Sequence, residues 1–213
     1  MNYILKKLSL GILALSFTFS FAQSINPKAK SILDAVSANY KSHQNNSFAF
    51  IYGIGMNKIT KNESGYFYSS GEKYSLKIGN TEQIFDGNKV YNINSEDHEV
   101  TIAKPTKDDV LFSPFGYLEA YKEGYNLVYV GKKDIHGVST DHIRLTPTTN
   151  NGMKYVNLFV DSGKKELLKL EQYGTDGSIS LILVKSYAPG ASIDSSKFQF
   201  DPSKYGKYLI TEL

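Results

Sequence analysis

Four histidines, at positions 43, 98, 136 and 142, are the residues best suited to acid–base or metal chemistry in this chain, and cysteine is absent. None of the four shares a helix with another at ligand spacing. His136 and His142 are separated by a turn and a strand, with no nearby pair of carboxylates to complete a metal site. Without cysteine, a nucleophile would have to be serine or threonine, yet no serine sits in the strand–turn–helix setting that exposes a hydrolase nucleophile. The glycine-bearing turns lack the lysine and spacing of a phosphate loop. Asp108 with Asp109 and Glu96 with Asp97 are paired acids, but both pairs read as helix caps or solvated turns. Surface histidines and capping acids account for these residues, so neither enzyme, metal nor cofactor is expected. Dispersed catalytic residues in an envelope hydrolase remain a minor alternative.

The elements that position these residues begin with a leader. Lys6 and Lys7 precede an apolar run from Leu8 to Phe21 that ends in Ser20, Phe21, Ala22, the pattern of a secretory signal cleaved before Gln23. The run is short for a membrane span. Residues 1–22 are therefore expected to leave, and residues 23–213, about 190 in number, to form one exported domain with its own core and no disulfide. The formal net charge of +3 falls to about +1 once Lys6 and Lys7 go. The remaining lysines alternate with acids, which excludes a nucleic-acid footprint.

Asn26 and Pro27 start a helix, with Ala29, Ile32, Leu33, Val36 and Tyr40 on one stripe. This stripe seals a core or covers the mouth of a curved sheet. From Ser47 the period becomes two, with Phe48, Phe50, Tyr52 and Ile54 on one face. Further strands are expected at Gly65–Ser70, Lys73–Ile78, Thr81–Phe85, Lys89–Ile93, Glu99–Ala103, Asn126–Val130 and Val138–Leu145. Three more runs, Met153–Asp161, Leu167–Tyr173 and Ile179–Tyr187, are joined by tight turns and closed by Phe198 to Pro202. Between the two sets, Pro105 to Tyr121 reads as a broken apolar helix containing Val110, Leu111 and Phe115. It is either a crossover that seals core or a movable lid. The fold class is α+β, an antiparallel meander that closes or half-closes into a barrel.

Rings recur at alternate strand positions, including Tyr66, Tyr68, Tyr74, Phe85, Tyr91, Tyr129, Tyr155 and Phe159. They are ordinary core, or they line a concave face able to enclose a long apolar ligand.

The order of these parts resembles the outer-membrane lipoprotein carrier (LolA-like) family over nearly the whole mature chain. The resemblance rests on the Asn26–Tyr40 helix, the Ser47 strand, Gly65 followed by Phe67 and Tyr74, and Asp86 and Gly87 before Lys89. It continues through the insert near Leu111 to Tyr121, Leu145, Thr146 and Pro147, and Lys197 to Phe200 ahead of Pro202. It implies an antiparallel half-open β-barrel with helices covering its concave face. The implied activity is that of a soluble, monomeric periplasmic chaperone that performs no covalent chemistry. Such a protein shelters the acyl chains of lipoproteins between an inner-membrane lipoprotein-releasing transporter and an outer-membrane acceptor. The implied cavity is lined by Phe48, Phe50, Tyr52, Tyr74, Leu76, Ile78, Ile102, Val156, Leu158, Leu181 and Leu183, with Val110, Leu111 and Phe115 as the lid. Alternation alone leaves the inward face of each strand open. One departure is that Gly71 stands where the family has an arginine that latches the lid, and Arg144, the single arginine, lies in another strand. A carrier or sensor of free lipid or glycolipid on the same half-barrel is the alternative.

Overall fold

In a computed structural model, residues 23–105 and 116–213 are described. The leader and the lid residues Val110, Leu111 and Phe115 fall outside them.

Helix α1, Pro27–Lys41, starts where the sequence places it: the Asn26 side chain accepts from the Ala29 amide at 3.0 Å, and proline occupies the first turn. Its stripe of Ala29, Leu33, Val36 and Tyr40 is buried. Strands β1 (Asn45–Met56), β2 (Lys61–Ser70), β3 (Lys73–Ile78), β4 (Thr81–Phe85), β5 (Val90–Asn94) and β6 (Glu99–Ala103) follow as an antiparallel meander. The short helix α2, Gly116–Ala120, precedes β7 (Tyr125–Ile135), β8 (Val138–Pro147), β9 (Met153–Asp161), β10 (Glu166–Gly174) and β11 (Ser178–Pro189). β12 (Leu209–Glu212) ends the chain's regular structure.

The twelve strands of the described residues belong to one sheet in the order β12-β6-β5-β4-β3-β2-β1-β11-β10-β9-β8-β7. The two halves of the chain meet where β1 pairs with β11, across a bulge between Ala49 and Phe50. The sheet does not close on itself, since β12 and β7 stand at its two ends. The fold is thus an open antiparallel half-barrel with helices on its inner face, in line with the expected class.

The inner face carries the larger core. Phe48, Phe50, Phe67, Val156, Leu158, Ile143 and Leu145 pack there under α1 and α2 residues such as Leu33, Tyr40, Tyr117 and Leu118. α1 lies over β7 and β10, so the helical cover sits on one half of the sheet. Gly65 is required opposite Phe50. A Cβ at position 65 would fall 2.1 Å from the Phe50 ring.

The segment from Phe198 to Pro202, which closes the last three runs in the sequence, adds no strand to them. Two single-turn 3-10 segments, Ser195–Phe198 and Pro202–Tyr205, instead fold across the outer face. There Phe200, Tyr205 and Tyr208 cover a second core of Ile84, Ile93 and Val100. Phe200 stacks on Tyr91 with centroids 4.7 Å apart. The chain then adds β12 to β6 in parallel, a pairing that four exposed residues do not advertise.

At the other end of the sheet, the chain just before α1 borders β7. The Asn26 amide donates to the Leu127 carbonyl and the Leu127 amide to the Ser24 carbonyl. The Gln23 side chain donates to the carbonyls of Tyr121 and Tyr125, fastening this segment to the α2–β7 junction.

Candidate functional site

Strand register decides which side chains face the helices. From Phe48 and Phe50 outward, the inner row reads Gly65 and Phe67 on β2, Leu76 and Ile78 on β3, Gln83 on β4 and Asn92 on β5. In the other direction it reads Ile182 and Ser180 on β11, Leu170 and Gln172 on β10, and Val156 and Leu158 on β9.

These rows enclose a groove of about 720 Å³, within the range of small-molecule sites. Its apolar surface comes from Tyr52 and Ile54 of β1, Leu76 and Ile78 of β3, Leu170 of β10 and Ile182 of β11, with Tyr117 and Met153 alongside. Asn92 and Leu170 both line it although β5 and β10 are six places apart in the sheet. Flat strands that far apart would be separated by about 29 Å, so the sheet must curl around the groove.

Polar groups in the groove are ordered. The Tyr74 hydroxyl donates to Gln83 Oε1 at 2.8 Å, and Gln83 Nε2 donates to Asn92 Oδ1 at 2.7 Å. Facing them, the Ser180 hydroxyl donates to Gln172 Oε1, and Gln172 Nε2 donates to the Tyr117 hydroxyl. At the mouth Lys61 Nζ lies 2.5 Å from Glu63, beside Glu96. Burial pushes the Tyr117 phenol well above its ordinary range. Burial, followed by the Glu63 carboxylate, raises that of Tyr52. Both phenols therefore stay protonated and neutral at physiological pH.

The sequence-predicted lining residues separate into four groups. Tyr52, Leu76 and Ile78 line the groove. Phe48, Phe50, Val156 and Leu158 share its inner face but are buried in packing: Phe48 stacks on Tyr187 at 4.4 Å and meets Tyr40 edge-on at 5.5 Å. Tyr74 borders a smaller cavity of about 330 Å³ at the C-terminal end of α1, shared with Phe67, Leu118 and Gly71. The expectation for Ile102, Leu181 and Leu183 is corrected. Ile102 packs against the outer core, and Leu181 and Leu183 pair with Gly53 and Ile51, whose parity is opposite to that of Tyr52.

Ile54, Leu170, Ile182, Met153 and Tyr117 were missed, as were the carboxamides of Gln83, Asn92 and Gln172. For β11 a signal existed. Once Phe48 and Tyr52 are taken as inward, antiparallel pairing selects the Ser180, Ile182, Val184 phase, which the run Ser178–Val184 supports as well as the other.

The histidines lie apart from the groove. His43 bonds the Asn39 carbonyl at 2.9 Å at the end of α1. His98 and His136 occupy turn positions with positive φ, and His142 stacks on Phe159 of the outer face at 4.6 Å. Among the described residues no group of three or more histidines and acids could hold a metal ion. No helix among them is long and apolar enough to cross a membrane.

Neither a family model nor a curated relative matches the chain. Solved structures do. An uncharacterized conserved protein from Thermus thermophilus aligns with a TM-score of 0.61 at 10% identity, covering 87% of this chain and 99% of that one. LprF from Mycobacterium bovis aligns with a TM-score of 0.48 at 13% identity, over 80% of this chain and 97% of that one. A LolA superfamily protein from Nitrosomonas europaea aligns with a TM-score of 0.42 at 11% identity, over 81% and 97%. At such identities the likeness is one of fold alone, and the open antiparallel half-barrel is read from the strand order itself.

Proposed function

We propose that this protein is a LolA-like carrier, exported and freed of residues 1–22, that holds the acyl chains of lipoproteins in the groove of its half-barrel. In this reading residues 23–213 form one domain. An inner-membrane transporter loads it, and an outer-membrane acceptor unloads it. The observation that carries the proposal is the apolar strip of Tyr52, Ile54, Leu76, Ile78, Leu170 and Ile182, contributed by four strands to one groove on the inner face. An apolar strip that the described residues leave open suits an apolar ligand.

Energetics favour an open groove over a sealed one. Burying one acyl chain at about 0.8 kcal/mol per methylene is worth roughly 12 kcal/mol gross, and three chains would exceed the ceiling of about 20 kcal/mol for non-covalent binding. A shuttle must therefore leave part of its cargo exposed or use binding energy to open a closed state. The open strand order and the exposed Ile54 suit the first option. Val110, Leu111 and Phe115 are proposed to supply the cover over the rest.

Displacement of a fluorescent fatty-acyl probe from the purified mature protein tests the proposal. A triacylated lipopeptide should compete for the probe, while the same peptide without acyl chains should not. Equal competition by the bare peptide, or no uptake of the probe, would refute acyl-chain binding.

A further inference from the structure

The side walls of the groove carry more polarity than hydrocarbon requires. On the inner faces of β3, β4 and β5, Tyr74, Gln83 and Asn92 form a continuous hydrogen-bonded ladder with links of 2.8 and 2.7 Å. Across the groove Ser180, Gln172 and Tyr117 form a second. Placing carboxamides beside an apolar strip costs desolvation, and leucine at the same positions would avoid it. Each ladder also keeps hydrogen-bonding capacity in reserve. A carboxamide has two donors and two acceptor lone pairs, and the Asn92 amide nitrogen has no protein acceptor among the described residues.

Charge in the groove points the same way. Lys61 is the one cation among the described lining residues, and its ammonium lies 2.5 Å from Glu63. Glu96 adds a second carboxylate to the lining. An anionic headgroup at this mouth would sit beside two acids with no unengaged cation among the described lining residues to receive it.

We propose that the two carboxamide walls recognise the uncharged hydrogen-bonding headgroup to which the acyl chains are joined, an amide or a hydroxyl-bearing group, and discriminate against phosphate and carboxylate heads. The proposal rests on the acyl-chain reading above and adds headgroup selectivity to it. Carboxamides present donor and acceptor in one plane, which suits a neutral partner with both functions, such as an N-acyl amide or a polyol. A bare anion uses the donors and leaves the acceptors facing negative charge.

Isothermal titration calorimetry with probes sharing one twelve-carbon chain, each below its micellar concentration, tests this. Dodecyl maltoside and N-dodecanoyl glycinamide are the neutral arms, separating hydroxyl from amide recognition, and dodecyl phosphate and dodecanoate are the anionic arms. At least one neutral probe should bind roughly tenfold tighter than either anion, as one or two well-made hydrogen bonds allow. Gln83→Leu combined with Asn92→Leu should reduce that ratio to within about threefold while chain binding persists. Should the double variant fold poorly, Asn92→Lys serves alone: a cation added there should raise dodecyl phosphate affinity about tenfold. Equal binding of all four probes, or a preference unchanged by these substitutions, would overturn the headgroup proposal and leave the carrier reading intact. Failure of every probe to bind would overturn both.

Discussion

Leu181 and Ile182, neighbours on β11, face opposite sides of the sheet. Ile182 stands across from Tyr52 and lines the groove, whereas Leu181 stands across from Gly53 on the outer face. A Cβ added to Gly53 would fall 2.7 Å from Asn62 Oδ1 and 3.0 Å from Ile59 Cγ2 but only in ordinary contact with Leu181, so that glycine makes room for Asn62 and Ile59 beside the leucine. Charge at the two positions should act differently. Ile182→Asp should weaken acyl-probe binding at least about tenfold by placing a carboxylate in the apolar strip. Leu181→Asp should leave it within about twofold, because surface substitutions away from a site are usually tolerated. Probe displacement with both variants, each checked by thermal melting, decides the orientation of β11.

Gly65 marks where the sheet admits the Phe50 ring. Gly65→Ala should cost about 1–3 kcal/mol through overpacking, because the new methyl and the ring cannot share the space without a backbone shift. The measurement is the urea midpoint at unchanged slope. An unaltered midpoint would mean that Phe50 moves aside freely.

Asp141 is a buried carboxylate whose ionised form is stabilised by its neighbours. Burial raises its pKa, but hydrogen bonds from Ser162, Lys132 and Tyr129 outweigh that and hold it below the ordinary carboxylate value. A depressed folded-state pKa stabilises the fold above the unfolded value, and the contribution is lost as pH falls through the folded one. Asp141→Asn should therefore be less stable at neutral pH by about 1–3 kcal/mol. It should also lose less further stability than the parent between about pH 4 and pH 2. Chemical denaturation across that range provides the comparison, and parallel curves for the two proteins would contradict it.

Phe200 lies between Tyr91 and Tyr205, with ring centroids 4.7 and 5.1 Å away. Phe200→Ala should destabilise by about 1–3 kcal/mol through loss of a half-buried ring over Ile84, Ile93 and Val100. Acyl-probe affinity should not change, since the groove is on the other side of the sheet. A parallel loss of binding would show that the C-terminal clasp shapes the groove.

Much of the architecture was legible because local physics and tertiary structure agree. Asn26 with Pro27 places the start of α1, and the bounds of β3, β4, β6 and β9 follow from alternation between turn residues. The faces were less legible. Parity identifies an inward face when one side of a strand is apolar and the other polar, but this sheet buries side chains on both sides. Ile102 reads as cavity lining because nothing local announces the second core formed by Phe200, Tyr205 and Tyr208. Leu181 and Ile182 are equally apolar, so only pairing with β1 separates them. Gln83, Asn92 and Gln172 resemble solvent-facing residues in the sequence. Their inward position follows from the register with β3 and β11, a long-range property.

Native mass spectrometry of the protein isolated from its own cell envelope, without detergent exchange, tests acyl-chain carriage most directly. The account predicts a fraction carrying an acylated protein, released on delipidation and lost in Ile182→Asp. Recovery of the protein always free, with the delipidated form unable to take up an acylated peptide, would contradict it.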